Sequence, residues 1–299
     1  MKQFRNKVVL LILCGLSISA MPCEAADYVV EENVVYSTVG KEELKLDLAR
    51  PKGEGPFHAI VFIHGGGWLG GNRADFRPLM IEAAKRGYVS TTISYRLMKF
   101  DMKNRETATA DPIFPAQVHD CKAAIRWLRA NADRYHVDQK RIGVSGGSAG
   151  GHLSLLVGLT NPADKLEGTG GHAEESSRVQ AVVNIFGPTE MVSAYEGSSV
   201  AWIFRLFMGG TPKEVPETYQ SSSPVTYVSK DDPPVLTIHG DQDKLVPVGQ
   251  ADLLDRKMKA VGATHELLIL KGQGHGFSGE AREQSFEALW VFFEKHLKP

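Results

Sequence analysis

Residues 141–151 read Arg141-Ile142-Gly143-Val144-Ser145-Gly146-Gly147-Ser148-Ala149-Gly150-Gly151, an apolar segment that runs into a Gly-x-Ser-x-Gly pentapeptide. Small residues on both sides of a serine are typical of a sharp strand-to-helix turn, where the packed backbone leaves no room for side chains. Such a turn, called a nucleophile elbow, presents the serine hydroxyl for attack. Ser148 is therefore the candidate nucleophile. The pentapeptide alone is a weak signal, so the flanking chain must support it.

Apolar runs and helical patterns alternate along most of the chain. Residues 34–39 and 44–48 alternate like two antiparallel strands joined by a turn. Continuous apolar runs, typical of strands buried on both faces, follow at 59–63, 89–94, 142–145, 181–185, 235–239 and 266–270. Helices are predicted at 77–86, 115–131, 149–159, 248–260 and 281–297. This alternation predicts an α/β fold with a mainly parallel sheet, which binds ligands at the carboxyl ends of its strands.

A glycine-rich loop, His64-Gly65-Gly66-Gly67-Trp68, directly follows the predicted strand 59–63. Attack on an acyl carbon creates an oxyanion, which backbone N–H groups can stabilise where no Cβ obstructs the approach. The amides of Gly65 and Gly66, together with that of Ala149, are candidates for such an oxyanion hole. The alternative is a glycine-rich turn with no catalytic role.

An acid and a base are expected in the loops after the last two strands. The first loop reads His239-Gly240-Asp241-Gln242-Asp243, and either aspartate could orient a catalytic base. Asp243 is favoured because it lies further into the loop, whereas Asp241 could brace the turn. His275 lies between glycines in the second loop, and Ser148, Asp243 and His275 follow one another along the chain as nucleophile, acid and base.

The first 25 residues have the pattern of a secretory signal peptide. Three basic residues precede an apolar run at 8–16, and small residues precede a cut after Ala25. The run is too short for a permanent membrane anchor, which needs about 20 apolar residues. We expect a secreted or periplasmic protein. Lipid attachment at Cys23 is disfavoured because Pro22 occupies a position that normally holds a small residue.

The cysteine content and the net charge indicate which cross-links and partners to expect. Cleavage after Ala25 would leave Cys121 as the last cysteine, so no intramolecular disulfide is expected. It would also change the net charge from −1 to −3, which favours neither nucleic acid nor an anionic membrane as partner. Residues 26–299 contain no repeat or linker and are expected to form one catalytic domain. No histidine or acid cluster has metal-ligand spacing, so neither a metal nor another cofactor is expected.

These motifs together resemble those of α/β-hydrolase serine carboxylesterases. The chain is similar to the hormone-sensitive-lipase-like esterases and more so to bacterial secreted bifunctional feruloyl and acetyl-xylan esterases. The resemblance covers nearly all of residues 30–297. It rests on segments 64–68, 95–97, 114–116, 123–131, 141–153, 223–225, 233–247 and 274–277.

The resemblance implies a triad of Ser148, Asp243 and His275, so it selects Asp243 over Asp241. It also implies an oxyanion hole at Gly65, Gly66 and Ala149. The expected activity is hydrolysis of carboxylic esters through an acyl-enzyme, on acetyl or feruloyl esters of plant polysaccharide or on small short-chain esters. The chain departs from the family at 98–101, and at Gly147, where hormone-sensitive-lipase-like esterases commonly carry an acidic residue.

The walls of the substrate pocket are harder to predict. Trp68 and Phe186 follow predicted strands and are candidate walls, as is Trp202 within segment 193–223. That segment lies where α/β-hydrolases often insert a cap. The alternative is an amphipathic helix that only covers the sheet.

Two other functions share some of these features. A secreted peptidase of the prolyl-oligopeptidase type has the same triad order, but about 40 residues between the signal peptide and His64 leave no room for its propeller domain. A non-catalytic binding module with a hydrolase fold is disfavoured because all three triad positions are present.

Overall fold

The structure is a computed structural model that describes residues 27–101 and 108–298. The predicted signal peptide, 1–25, lies outside the described residues. The strands are β1 (Tyr28–Val39), β2 (Glu42–Pro51), β3 (Phe57–Ile63), β4 (Val89–Ile93), β5 (Lys99–Phe100), β6 (Ala110–Asp111), β7 (Val137–Gly147), β8 (Ala181–Ile185), β9 (Val235–Gly240) and β10 (His265–Leu270).

Eight of these strands form one twisted layer in the order β1-β2-β4-β3-β7-β8-β9-β10, while β5 and β6 pair separately. The pairs β1–β2 and β2–β4 are antiparallel, and every other pair in the large sheet is parallel. The predicted α/β fold with a mainly parallel sheet is confirmed. The predicted hairpin at 34–48 is also present, with longer strands than the alternation indicated.

Helices cover both faces of the sheet. They are α1 (Arg77–Lys85), α2 (Ala116–Ala130), α3 (Ala132–Tyr135), α4 (Ala149–Leu159), α5 (Met191–Gly197), α6 (Ala201–Met208), α7 (Pro216–Ser221), α8 (Gly249–Val261) and α9 (Gly279–Leu297). The five predicted helices are confirmed to within two residues at each end. Segment 193–223 holds most of α5, together with α6 and α7, rather than one continuous helix.

The two faces of the sheet have separate hydrophobic cores because successive side chains of a strand point in opposite directions. In β3, Val61 and Ile63 belong to the core beneath α2, α4 and α8, whereas Ile60 and Phe62 belong to the core beneath α1 and α9. A strand between two such cores must be apolar on both sides. This explains why the central strands read as continuous apolar runs.

Strand β10 does not fit that expectation. Its residues from His265 to Ile269 are only partly buried, with Ile269 37% exposed, because β10 is the edge of the sheet and pairs with β9 alone. The prediction that this strand is buried on both faces was wrong.

The parallel strands bring four loops to one edge of the sheet. β3, β7, β9 and β10 all run in the same direction, so the segments that follow Ile63, Gly147, Gly240 and Leu270 emerge together. These segments carry the glycine loop, the serine, the aspartates and the histidine. Across the two described ranges, no helix is long and apolar enough to cross a membrane, and no cluster of histidines, cysteines and acids could hold a metal ion.

Candidate active site

Ser148 lies on a strained turn between β7 and α4. Its backbone has φ 56° and ψ −121°, a conformation that residues with a side chain rarely adopt. Its N–H donates to the carbonyl of Ile185 at 2.9 Å. A Cβ on Gly146 would lie 2.4 Å from the Gly150 backbone, and one on Gly150 would lie 2.1 Å from the Ile63 carbonyl oxygen. Only glycine fits at those two positions, which explains the flanks of the pentapeptide.

A continuous chain of hydrogen bonds joins Ser148, His275 and Asp243. Nε2 of His275 is 2.8 Å from Ser148 Oγ, and its Nδ1 is 2.7 Å from Asp243 Oδ2. Because the ionised carboxylate only accepts, Nδ1 carries the proton of the neutral ring, and Nε2 accepts from the serine hydroxyl. This is the geometry by which a histidine removes a proton from an attacking serine.

The carboxylate of Asp243 is buried and held by donors at both oxygens. Oδ1 accepts the N–H groups of Leu245 and Val246 at 2.8 and 2.9 Å, while Oδ2 faces His275. Burial alone would raise the pKa of Asp243. The N–H groups of the His239 and His275 rings and of Val246 outweigh burial and hold that pKa well below its usual range. Asp243 is thus a fixed negative charge beside the imidazole.

Asp241 lies in the same loop but does not contact His275. Its Oδ1 accepts the N–H of Gly272 at 2.7 Å. This bond joins the loop after β9, here called the aspartate loop, to the start of the loop after β10, here called the histidine loop. His275 itself sits at the tip of a tight turn in which Gly276 N–H donates to the Gly274 carbonyl at 2.9 Å. The imidazole packs against the ring of Phe186 at a centroid distance of 4.6 Å.

The glycine loop meets the elbow directly. A Cβ on Gly65 would lie 2.7 Å from the Gly147 carbonyl oxygen and 3.4 Å from Ser148 Cβ, so the two loops touch at this point. Gly66 has φ 109°, which a residue with a side chain rarely adopts. Ala149 is the first residue of α4, so its N–H is one of the helix-terminal amides that have no partner within the helix. Gly65, Gly66 and Ala149, the residues proposed for the oxyanion hole, line one cavity together with Ser148.

A cavity of about 450 Å³ opens onto Ser148, which is within the usual range for a ligand pocket. Apart from Ser148 and His275, its lining is glycine backbone and apolar side chains. The lining residues are Gly65, Gly66, Gly67, Trp68, Phe76, Gly147, Ser148, Ala149, Phe186, Pro188, Val200, Ile203, Phe204, Leu245, Val246 and His275.

Two of the three predicted pocket residues line this cavity. Phe186 lies between His275 and Phe277, and its ring meets Phe277 at 5.1 Å. Trp68 also lines the cavity, although its side chain is buried and stacks face to face on Phe207 at 4.0 Å. Trp202 is not among the residues that line this cavity; its ring packs against Phe100 at a centroid distance of 5.9 Å.

The neighbours of Trp202 on α6, Ile203 and Phe204, line the cavity instead. Ile203 lies close to the glycine loop, since its Cγ2 would be 3.2 Å from a Cβ on Gly67. The sequence contained a signal for this face: Val200, Ile203, Phe204 and Phe207 recur at helical spacing. The α6 helix thus closes one side of the cavity and also packs on the core through Phe207.

Two other buried histidines have structural contacts. His64 is buried, stacks on Tyr95 at 4.4 Å and bonds the Gly65 carbonyl through Nδ1 at 2.8 Å. Nε2 of His152 is 2.8 Å from the Ser222 carbonyl oxygen. Among the described histidines, His275 is the one that contacts Ser148.

Comparison with known proteins places this chain in a family. The BD-FAE family model matches residues 46–258, which include both Ser148 and Asp243. The chain belongs to the BD-FAE family. Two solved structures similar to this BD-FAE family member are α/β-hydrolase esterases, so the predicted α/β-hydrolase fold is confirmed.

Three similar proteins illustrate the relationship. Esterase LipC of Mycobacterium tuberculosis is 31% identical over 255 residues, which cover 84% of this chain and 60% of LipC. A truncated carbohydrate esterase from gut microbiota is 30% identical with a TM-score of 0.75, covering 91% of this chain and 97% of that one. Butyrate-bound esterase Est2 of Thermogutta terrifontis is 29% identical with a TM-score of 0.73, covering 91% and 95%. The chain therefore spans about 60% of the length of LipC and nearly all of the two solved chains.

Proposed function

We propose that this protein is a serine carboxylic-ester hydrolase that works through an acyl-enzyme. The observation that carries the proposal is the hydrogen-bonded chain from Asp243 through His275 to Ser148, whose serine end opens into an apolar cavity. The activity named for LipC, and for the two similar solved structures, supports the same reaction class.

The proposed reaction has two halves. His275 Nε2 takes the proton of Ser148 as Oγ attacks the ester carbonyl, and Asp243 stabilises the imidazolium that forms. The amides of Gly65, Gly66 and Ala149 hold the oxyanion, and His275 returns the proton to the departing alcohol. Water then attacks the acyl-enzyme with His275 again as base, which releases the acid and restores Ser148.

The cavity favours an apolar acyl group. Its lining offers no polar side chain beyond Ser148 and His275, so a sugar ring inside it would lose hydrogen bonds to water. A saccharide alcohol would therefore lie at the mouth, with the acyl group inside. We propose acyl esters of plant polysaccharide, or small short-chain esters, as substrates. The names of the gut carbohydrate esterase and of butyrate-bound Est2 support these two classes respectively.

A fluorophosphonate probe tests the catalytic role of Ser148. The probe should label the wild-type protein at Ser148, as located by peptide mapping, and should not label Ser148→Ala. His275→Ala should fold and label far more slowly, because the serine would lack its base. Absence of labelling in the folded wild-type protein would overturn the proposal.

A substrate panel tests the reaction and substrate class. It comprises nitrophenyl acetate, butyrate and octanoate, acetylated xylan, methyl ferulate and a prolyl nitroanilide. We expect ester hydrolysis with little cleavage of the anilide, and the reverse order would favour the peptidase alternative. Acetate release from acetylated xylan no faster than from nitrophenyl acetate would count against a polysaccharide substrate.

We also propose export, on the basis of the signal-peptide pattern at 1–25. Expression of the full sequence in a bacterial host, followed by N-terminal sequencing of the exported protein, should give Ala26 as the first residue. A cytoplasmic product that retains Lys2 would contradict this expectation.

A further inference from the structure

His239 is a buried histidine directly before the loop that carries the proposed catalytic acid, and the mechanism above does not use it. It is the second-last residue of β9, and its side chain is fully buried. Its Nε2 lies 2.9 Å from the Val246 carbonyl oxygen and 3.4 Å from Asp243 Oδ2. The shorter distance is a hydrogen bond, and the longer one is an electrostatic contact between the ring and the carboxylate. His239 therefore approaches the same carboxylate oxygen that faces His275.

The partners of the ring determine where its proton lies. The Val246 carbonyl and the Asp243 carboxylate can only accept, so Nε2 carries the hydrogen. Nδ1 is buried without a hydrogen-bond partner in the described part of the chain. The hydrogen bond that the ring makes therefore runs through Nε2. The ring directs this N–H at the loop.

That N–H closes the aspartate loop on itself. Val246 accepts from His239 through its carbonyl, and it donates through its own N–H to Asp243 Oδ1 at 2.9 Å. Val246 thus links His239 to Asp243 through two hydrogen bonds. His239 acts on the carboxylate twice, directly at Oδ2 and through Val246 at Oδ1.

We propose that His239 is a positioning residue that fixes the Asp243 carboxylate in the orientation His275 requires. The inference rests on the proposed function, because it assigns a role within the same site. A carboxylate free to rotate would hold the imidazole less well, and a displacement of about 1 Å in a catalytic group can cost roughly 100-fold in rate.

Three substitutions separate positioning from simple packing. His239→Leu fills similar space and removes the N–H. His239→Gln places its amide nitrogen as many bonds from the backbone as Nε2, so it can donate to the same two acceptors. His239→Asn is the matched control, because its amide is one bond too short to reach them. Positioning predicts that Gln restores function and that Asn does not.

The measurements are kcat and KM on nitrophenyl butyrate, with active sites counted by the fluorophosphonate probe. Per labelled site, His239→Leu and His239→Asn should lower kcat by roughly 10- to 100-fold, with KM changed by less than about threefold. His239→Gln should lie within about fivefold of wild type. Because kcat is calculated per labelled site, misfolded protein does not lower its value. A wild-type protein that fails to label would overturn the proposed function rather than this role.

A spectroscopic measurement tests the orientation itself. The proton that His275 Nδ1 donates to Asp243 should give a far-downfield proton NMR signal, which His239→Gln should keep and His239→Leu should shift or broaden. Thermal unfolding of each variant records structural loss separately. Wild-type kcat and an unchanged signal in a folded His239→Leu would overturn the proposal. So would a His239→Gln variant as impaired as His239→Asn.

Discussion

Asp241 and Asp243 lie two residues apart in one loop and bind different residues of the segment that carries His275. Asp243 Oδ2 accepts from the imidazole itself at 2.7 Å, whereas Asp241 Oδ1 accepts from the backbone N–H of Gly272 at 2.7 Å. One carboxylate faces the buried interior of the site, and the other braces the histidine loop from outside. The two side chains therefore have separable effects.

We expect Asp243→Asn to lower kcat by about 1,000-fold or more, because an amide can present its N–H to His275 and favour the wrong tautomer. Asp241→Asn should stay within about threefold of wild type, since its amide oxygen still accepts from Gly272. Steady-state kinetics on nitrophenyl butyrate measure both. Equal impairment of the two variants would contradict the assignment of the acid.

The choice between these aspartates shows where sequence reasoning reaches its limit. Both follow the same strand, and which one meets His275 depends on how two loops from β9 and β10 close on each other, which no local pattern records. The central strands were predictable because burial on both faces requires a continuous run of apolar residues. The helices were predictable from apolar residues at helical spacing. The position of β10 at the sheet edge was not, since strand order is a property of the whole chain.

Which residues of a helix line the pocket was equally hard to predict from the sequence. The aromatic character of Trp202 made it a candidate wall, but the rotation of α6 places Ile203 and Phe204 at the cavity. His239 was visible only as part of a motif. Its contact with Val246 appears once the loop has folded back on its own strand.

Substitution of Gly150 should destabilise the fold far more than substitution of Gly249. A Cβ on Gly150 would lie 2.1 Å from the Ile63 carbonyl oxygen, whereas one on Gly249 would meet nothing within 4 Å. We expect Gly150→Ala to lower the free energy of unfolding by about 3 kcal/mol. Gly249→Ala should leave it unchanged or raise it by up to about 1 kcal/mol. Urea denaturation compares the two, and a wild-type midpoint for Gly150→Ala would refute the steric argument.

Ile203 should limit the length of the acyl group. Its side chain lines the cavity beside the glycine loop, so Ile203→Ala would enlarge the space next to Ser148. We expect the ratio of kcat/KM for nitrophenyl octanoate to that for the acetate to rise roughly 10-fold. Ile269→Ala is the matched control, because Ile269 lies on the partly exposed edge strand β10. An unchanged ratio in Ile203→Ala would mean that the acyl chain runs elsewhere.

His152 should make the protein less stable as the pH falls from 7 to 5. Burial lowers the pKa of His152 to about 4, although its bond to the Ser222 carbonyl opposes the shift. An unfolded histidine binds a proton below about pH 6.5. Between these two values the unfolded chain is protonated at this position and the folded chain is not. Protonation therefore favours unfolding in that window, by about 2 kcal/mol at pH 5.

The variant His152→Gln isolates this contribution. A glutamine amide can donate to the Ser222 carbonyl from the same distance along the side chain, and it does not titrate. Burial also lowers the pKa values of His64, His119 and His265, so the whole protein loses more stability than one group explains. The difference in unfolding free energy between pH 7 and pH 5 should be smaller in His152→Gln by about 2 kcal/mol. Urea denaturation at the two pH values measures it, and equal differences in the two proteins would show that His152 is protonated in the folded state at pH 5.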